Sequence, residues 1–296
     1  MHEKILINIA SYRERELENT VRSLYENATH KDRLLFSIVS QDYEHPDLSF
    51  IPKLNLRYIK ILPEDGFGAA WARSIAFSMF SSFDYYFQTD GHVMASPEWD
   101  QKIIRAYEKA SDRYKKDVVL TAYPASYALD ESGERRIIVS EHCAPDVKDV
   151  QFRDWPNRTK LDHLSQVFYL QAACVFSSRK HVEDVPMDPE VDFFVEEPLW
   201  SIRTHAKGYV MVHFEKPIFY HFYATDRIKI QSNIKPWNDG HPLVDHYNDF
   251  TRGNKVAAGE VTGIYGLSKF DVQSFCNKTG YVIPEHPTVK SIIGML

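Results

Sequence analysis

The chain has 296 residues, of which 44% are hydrophobic and 26% are charged, enough for one large α/β domain or one domain with an extension. Its 18 Phe and 17 Tyr residues exclude wholesale disorder, and no repeat of solenoid period is present. The formal net charge of −6 excludes a generally basic nucleic-acid coat, although it leaves a local basic groove open.

The first 125 residues alternate strand and helix patterns. Apolar runs predict buried strands at 5–10, 34–39, 56–62, 85–88 and 118–123. Helical spacing predicts helices from Leu17, over 69–79 and from Trp99, and Ser11 and Glu14 have the spacing of a capping box. This order predicts an open, mostly parallel α/β sheet with helices on both faces. Ligands of such sheets bind outside the carboxyl ends of the strands, so we expect the chemistry there.

The rest of the chain is less regular. Residues 126–165 are polar and interrupted by proline, which predicts an irregular, mobile excursion over the site. A helix is expected within 192–205, and strands are expected at 209–212 and 218–223. We therefore expect one main domain over 1–224 and a C-terminal extension over 225–296 that forms a lid or a small subdomain.

The cysteines and the first residues bear on the compartment. Cys143, Cys174 and Cys276 stand far apart with no CxxC pair, which favours a reducing compartment. The apolar run near the start spans about six residues, shorter than a signal peptide or a membrane anchor requires. We therefore expect a soluble, cytoplasmic protein without a membrane partner.

Three small groups of residues can carry chemistry. Asp90-Gly91-His92 follows an apolar strand, and alternation puts Asp90 and His92 on one side of an extended chain. A carboxylate and an imidazole suit a borderline divalent ion such as Mn²⁺, although a plain turn fits the triplet equally well. His221, in the aromatic run 220–223, is either a third ligand or a half-buried imidazole.

The third group is the adjacent pair Glu196 and Glu197. Acidic residues at a helix start are favourable to the helix dipole and need no further function. The functional alternative is one acid or base plus one residue that holds a hydroxyl. The sequence contains no P-loop, nucleophile elbow, HExxH or GxGxxG motif.

Together these pieces resemble the GlcNAc-type glycosyltransferases that modify a cytosolic hydroxyproline. The matching segments are INIASYRE at 7–14, QD at 41–42, GAAWAR at 68–73, DGH at 90–92, TAYP at 121–124, FFVEE at 193–197 and YHFY at 220–223. Their joint order is more specific than any one of them. The family is similar in turn to the polypeptide GalNAc-transferases, and the resemblance implies a glycosyltransferase-A fold over residues 4–224.

The resemblance also implies a role for each matched residue. The positions of the metal ligands are taken by Asp90, His92 and His221, with Mn²⁺ or Mg²⁺ as the ion. The residues matching the donor-binding segments are Ser11, Tyr12, Arg13, Asp42, Trp71 and Arg73. Glu196 and Glu197 match the acidic pair on the acceptor side of the reacting sugar, and we expect Glu196 to face that sugar.

The chain departs from the family beside the sugar and acceptor pockets. Gly91 occupies the middle of the DxH triplet, where a small or polar residue is usual. Phe194-Val195 stands in place of a Trp-Gly pair, and Ala172-Ala173 in place of Gly-Gly. These departures bear on the donor sugar and the acceptor more than on the class of reaction.

The leading hypothesis is a metal-dependent hexosyl- or pentosyltransferase that uses a nucleotide sugar, by resemblance a UDP-sugar, with retention. The sequence does not decide between three acceptors: a protein hydroxyl, a glycan and a hydroxymethylated base of phage-type DNA. The DNA base would suit a viral enzyme that acts in a host cytoplasm. The acidic net charge disfavours DNA, whereas a basic lip on the 126–165 segment would favour it. The residues of this basic lip are Arg135, Arg136, Lys148, Arg153, Arg158 and Lys160.

Two other classes are weighed against the transferase. One is a non-catalytic module that binds a nucleotide sugar or a carbohydrate, and the presence of both acids and all three candidate ligands disfavours it. The other is a nucleotidyltransferase, which needs a glycine-rich loop after the first strand. Residues 11–15 contain no glycine.

Overall fold

A computed structural model describes residues 2–150, 156–161, 163–191, 196–223 and 268–282, and its strands are numbered β1 to β14. In chain order they are β1 (Ile5–Tyr12), β2 (Leu34–Gln41), β3 (Leu56–Ile61), β4 (Tyr85–Asp90), β5 (Val93–Ala95), β6 (Val118–Thr121), β7 (Ala125–Leu129), β8 (Arg135–Val139), β9 (Ala144–Asp146), β10 (Asn157–Thr159), β11 (Ser165–Gln166), β12 (Cys174–Ser178), β13 (Val210–His213) and β14 (Phe219–Phe222).

The α-helices of the same residues are α1 (Leu17–Glu26), α2 (Ala69–Ser78), α3 (Trp99–Tyr114), α4 (Arg179–Asp184), α5 (Glu196–Ala206) and α6 (Lys269–Thr279). Short 3₁₀ helices span Lys31–Arg33, Lys53–Asn55 and Pro63–Asp65. None of the helices in the described ranges is long and apolar enough to cross a membrane.

Eight strands form the central sheet, in the order β11-β13-β6-β12-β4-β1-β2-β3. The strands β4, β1, β2 and β3 are parallel, as predicted, but β12 runs antiparallel to both β4 and β6. The sheet is mostly parallel, as predicted, because six of its eight strands run in one direction, but β12 and the short edge strand β11 run the other way. The reason is that β12 follows the long 126–165 segment instead of a crossover helix, so it can enter the sheet from the opposite end.

Helices cover both faces of this sheet, as the sequence predicts. Along β1, Ile5, Ile7 and Ile9 lie in one buried cluster, together with apolar residues of α1 and α3. Leu6 points the other way and packs in a second cluster with residues of α5, including Trp200. This alternation follows from the two-residue period of a strand, and it makes β1 apolar on both faces.

A second, four-stranded sheet has the order β5-β14-β7-β8. Three of its residue pairs join β14 to β5, and His221 lies opposite Val93. The strands β7 and β8, together with the β9–β10 hairpin, fall within the stretch predicted to be irregular, so that prediction is wrong for these residues. Their signal is weak because β8 is exposed and polar at its start.

The start of α1 also differs from the prediction. β1 continues through Ser11 and Tyr12, and the helix begins only at Leu17, with Glu16 at the N-cap and no side-chain cap. The predicted capping box of Ser11 and Glu14 is therefore wrong. The Glu14 carboxylate contacts His92 instead.

The described part of the C-terminal extension packs onto the main domain. α6 has a capping box between Ser268 and Asp271. Val272 and Phe275 belong to the same buried cluster as residues of α5. The predicted role as a lid or subdomain stays a prediction, because 224–267 and 283–296 lie outside the described residues.

Candidate functional site

The three residues predicted to bind a metal converge at the end of β4. Asp90 is the last residue of β4, His92 follows two residues later, and His221 lies on β14. One ligand atom from each side chain lies within 4.8 Å of those of the other two. The β5–β14 pairing brings this about, since the N–H of Phe222 donates to the carbonyl of His92 at 3.0 Å.

Asp90 connects the two sides of this cluster. One carboxylate oxygen lies 3.1 Å from Nε2 of His221, and the other accepts a hydrogen bond from Arg73 at 2.9 Å. Burial alone would raise the pKa of Asp90, but the His221 contact and the Arg73 charge hold that pKa well below its usual range. The carboxylate is therefore ionised and can serve as a ligand oxygen.

His92 is held in place by Glu14, which precedes α1, and by Thr20, which lies on α1. Nδ1 of the ring lies 2.6 Å from a carboxylate oxygen of Glu14, and both side chains are buried. The hydroxyl of Thr20 donates to the carbonyl of Gly91 at 2.8 Å and accepts from the N–H of Val93 at 2.9 Å. The backbone on each side of His92 is thus fixed by one buried hydroxyl.

Gly91 fits this arrangement because space beside it is short. A Cβ at this position would lie 3.0 Å from Cγ of Glu14 and 3.4 Å from Oγ of Ser11. A larger side chain would push Glu14 away from His92. The departure from the family at the middle of DxH therefore has a local physical reason.

Arg73 lies between Asp90 and the acidic pair. It is only 2% exposed, and Nη1 donates to Glu196 at 2.5 Å while Nη2 donates to Asp90. Burial by itself lowers the pKa of Arg73, but the Glu196 and Asp90 charges outweigh it and raise that pKa. Both terminal nitrogens of the arginine predicted beside the diphosphate are thus bonded to carboxylates.

Glu197 is bonded in a different direction. Its carboxyl oxygens lie 2.7 Å from the N–H of Ala172, 2.9 Å from the amide nitrogen of Gln171 and 3.2 Å from the hydroxyl of Tyr169. Burial outweighs these hydrogen bonds and raises the pKa of Glu197 to about 8. The two adjacent acids therefore have separate partners, as expected for neighbours about 100° apart on a helix.

The residues matching the donor-binding segments lie mostly at neighbouring strand ends. The register pairs Ser11 with Ser40 and Tyr12 with Gln41, and Arg13 follows with its N–H bonded to the carbonyl of Gln41. Ser11 is 3% exposed, and its buried Oγ has no hydrogen-bond partner in the described part of the chain. An orphaned polar atom of this kind is typical of a ligand pocket.

Asp42 directly follows β2, and Trp71 lies on α2. The Asp42 carboxylate accepts from the N–H groups of Tyr43 and Glu44, at 2.7 and 3.3 Å. Trp71, on α2, meets the exposed ring of Phe67 edge-on, with 5.3 Å between ring centroids. A donor role for these residues stays a prediction.

The sequence did not single out the Glu14–His92 contact or Thr20, and Gln41 entered only as part of the matching segment at 41–42. The Gln41 side chain is buried and accepts from the N–H of Gly68. The loop packs on it closely, since a Cβ on Gly66 would lie 2.1 Å from its amide oxygen. For Glu14 and Gln41 the available signal was position, because they lie at or near the carboxyl ends of β1 and β2. Thr20 lies within α1 and had no such signal.

Residues 47–252, more than half of the chain, match the glycosyltransferase (GlcNAc) family. The chain belongs to this family. The match includes the DGH, FFVEE and YHFY segments, which are among those that carry the resemblance seen in the sequence. No curated protein sequence matched the chain.

Solved structures agree on the fold. The structure of GalNAc-T7 with UDP, GalNAc and Mn²⁺ matches 99% of this chain and 57% of its own length, with a TM-score of 0.58 and 14% identity. The structure of S. aureus TarS 1-349 with UDP-GlcNAc matches 93% of this chain and 72% of its own length, with a TM-score of 0.55 and 13% identity. The chain thus has the predicted glycosyltransferase-A fold, and it spans little more than half the length of GalNAc-T7.

Proposed function

We propose that this glycosyltransferase transfers a sugar from a UDP-sugar to an acceptor hydroxyl, with retention and with Mn²⁺ bound by Asp90, His92 and His221. The observation that carries the proposal is the convergence of these three side chains within 4.8 Å at the carboxyl end of β4. Nucleotide ligands of such sheets bind at that edge.

The side chains present fit a borderline divalent ion. One carboxylate and two imidazoles are ligands that Mn²⁺ accepts. Nδ1 of His92 is already bonded to Glu14, which leaves Nε2 to face an ion, as in the carboxylate–histidine pairs of many metal sites. When bound, the ion would supply positive charge to the diphosphate leaving group.

The other residues of the site would bind the donor and position the reacting groups. Ser11, Tyr12 and Arg13 would hold the nucleobase and ribose, together with Asp42 and Trp71. Arg73 keeps Asp90 and Glu196 in place by its two hydrogen bonds. Glu196 would face the sugar, and Glu197 would serve the acceptor side.

Retention is supported by the bonding of the two acids. Glu196 is in an ion pair with Arg73, and Glu197 has a pKa of about 8 because burial favours its neutral form. A protonated carboxyl cannot act as the general base that inversion requires, whereas attack from the donor's own face needs neither a protein base nor a protein nucleophile. The acids would then position the acceptor and stabilise the oxocarbenium-like sugar.

The acceptor is proposed as a protein hydroxyl, with a hydroxymethylated DNA base as the second candidate. Most of the described lip is neutralised, because Arg135 pairs with Glu16, Arg136 with Asp130 and Lys160 with Glu141. This pairing lowers the charge available to DNA phosphates and favours the protein hydroxyl. GalNAc-T7 was solved with GalNAc and TarS with UDP-GlcNAc, so either amino sugar is a reasonable first donor.

The test is release of UDP from a panel of UDP-sugars, with Mn²⁺, with Mg²⁺ or with EDTA. We expect release with Mn²⁺, little with EDTA, and a rise on adding an acceptor peptide containing hydroxyproline or a hydroxymethylated oligonucleotide. A protein that binds a UDP-sugar but releases no UDP under any condition would support the non-catalytic module instead. The matched control is Asp112→Asn, an exposed acid on α3 far from Asp90 in the chain.

A further inference from the structure

Arg158, on β10, is an exposed cation that the site described above does not use. Its guanidinium carbon lies 4.6 Å from the ring centroid of Tyr123 and 4.7 Å from that of Tyr223. Within the described part of the chain no carboxylate pairs with it. This distinguishes Arg158 from Arg73 and Arg136, each of which is bonded to an acid.

The two rings that flank Arg158 are themselves fixed. The hydroxyl of Tyr123 donates to the carbonyl of Pro156 at 3.3 Å, and that of Tyr223 donates to the carbonyl of Pro124 at 3.0 Å. The backbone of Arg158 pairs with Pro145 in the β9–β10 ladder. A guanidinium held in this way is placed before any ligand arrives.

This cation lies next to the candidate metal ligands. Tyr223 follows β14 directly, and its ring centroid is 4.3 Å from that of His221. One tyrosine ring therefore separates the guanidinium from a proposed ligand of the metal. A diphosphate held by a metal at Asp90, His92 and His221 would therefore lie close to this cation.

We propose that Arg158 binds the diphosphate of the nucleotide-sugar donor. The proposal rests on the proposed function, since it requires a donor beside the candidate metal ligands. Contact with tyrosine rings uses the π face of a guanidinium and keeps its N–H donors available for phosphate oxygens. Arg73, the other arginine near the cluster, already donates to two carboxylates, so Arg158 is the better placed of the two for phosphate.

The experiment is calorimetric titration of the full chain with UDP and, separately, with uridine, both in the presence of Mn²⁺. Arg158→Gln removes the charge and keeps a planar group between the rings. We expect it to weaken UDP binding about ten- to hundredfold, the size of a lost charge-assisted hydrogen bond. Uridine binding should not change, because uridine has no phosphate.

The matched control is Arg22→Gln. Arg22 also lies over an aromatic ring, 4.1 Å from the centroid of Phe50, but it pairs with Glu18 and Glu26 on the outer face of α1. This variant loses the same charge and should bind UDP like the wild type. Thermal unfolding of both variants checks that each is folded.

Three results overturn the proposal. Wild-type UDP affinity in Arg158→Gln shows that the diphosphate does not reach Arg158. Equal weakening for UDP and uridine shows a disturbed pocket rather than a lost phosphate contact. Unchanged UDP affinity with weaker binding of an oligonucleotide shows that the cation serves an acceptor phosphate. If the wild type itself binds no UDP, the proposed function fails first, and this result is distinguishable from the other three.

Discussion

The contact between Glu14 and His92 fixes which ring nitrogen is available to a metal. At 2.6 Å and with both side chains buried, the carboxylate favours the tautomer that carries its proton on Nδ1. Glu14→Gln should therefore lower Mn²⁺ affinity by about ten- to hundredfold, the usual effect of losing such a partner. Electron paramagnetic resonance of free Mn²⁺ measures the affinity directly.

Glu18 provides the control for this variant. It lies on α1, is more than a third exposed, and pairs with Arg22. Glu18→Gln should bind Mn²⁺ like the wild type. Equal Mn²⁺ affinity in Glu14→Gln and the wild type would show that the Glu14 contact does not position His92.

The acidic pair offers a second test at the same scale. We expect Glu196→Gln to lower transfer by about a hundredfold, the size of a lost acid–base or positioning group. Glu197→Gln should lower it less or should raise the KM of the acceptor. A wild-type rate in Glu196→Gln with an inactive Glu197→Gln would reverse these two roles.

Mn²⁺ affinity separates two ways in which Glu196 can act. If Glu196 faces the sugar, Glu196→Gln lowers kcat and leaves Mn²⁺ affinity unchanged. If it acts through Arg73, which also bonds Asp90, Mn²⁺ affinity falls as well. The first outcome is the one that the sequence predicts.

Burial of Glu197 predicts a dependence of stability on pH. Its pKa in the folded chain is about 8, against an ordinary value of 4.5. The folded chain therefore keeps a proton that the unfolded chain loses, and this contribution is present below about pH 4.5 and is lost as the pH rises through about 8. Nearby charges are those of Glu196, Arg73 and Asp90.

Glu197→Gln mimics the protonated form and should remove this dependence. The free energy of unfolding of the wild type, relative to this variant, should fall between pH 5 and 8 by up to about 1.4 kcal/mol per pH unit. Urea denaturation at several pH values measures the difference. A difference that stays constant over this range would contradict a raised pKa.

At the scale of elements, α1 supports the metal site through Thr20. Its hydroxyl satisfies the carbonyl of Gly91 and the N–H of Val93, and it is fully buried. Thr20→Val keeps the shape but leaves these backbone groups unsatisfied, which should lower the free energy of unfolding by about 1–3 kcal/mol. Thr20→Ser retains the hydroxyl and should lose less.

Mn²⁺ affinity is the second measurement for this pair of variants. Because the same hydroxyl fixes the backbone on both sides of His92, Thr20→Val should also bind Mn²⁺ more weakly than Thr20→Ser. If the two variants unfold alike and bind Mn²⁺ alike, the hydroxyl does not hold the turn.

The sequence predicts a strand or helix well where the element has its own hydrophobic pattern. It predicts less well where the pairing of distant strands determines the structure. The buried strands and the helices α1 to α3 follow from apolar runs and helical spacing. The capping box failed because β1 continues through Tyr12, which its polar end does not reveal. The Glu14–His92 contact depends on β1 pairing with β4, where Ala10 lies opposite Asp90, and no local pattern shows that register.

Pairing also explains the missed strands of the second sheet. β7 and β8 read as a polar excursion because Arg135 and Arg136 begin β8, and its apolar residues 137–139 are exposed. They are strands because β7 pairs with β14, the strand that carries His221. The residues alone left His221 open as a third ligand or a half-buried imidazole, and only the family resemblance favoured the ligand, since His221 lies 129 positions after His92.

At the scale of the whole molecule, the metal site joins parts of the chain that are distant in sequence. Asp90 belongs to the central sheet and His221 to the second sheet, and His92 lies between them. A metal bound to all three would therefore connect the two sheets. Because it would bind the folded chain and not the unfolded one, it should stabilise the fold as a whole.

Thermal unfolding with and without Mn²⁺ tests this connection. At a concentration 100 times the Kd, Mn²⁺ should add about 2.7 kcal/mol to the free energy of unfolding, and the Tm should rise by several degrees, at roughly 2–4 °C per kcal/mol. Asp90→Asn should abolish the increment even if its own Tm is lower, because Asp90 also pairs with Arg73. Asp112→Asn, with a carboxylate 87% exposed, should keep the full increment. The same increment in Asp90→Asn and the wild type would place the Mn²⁺ elsewhere on the molecule.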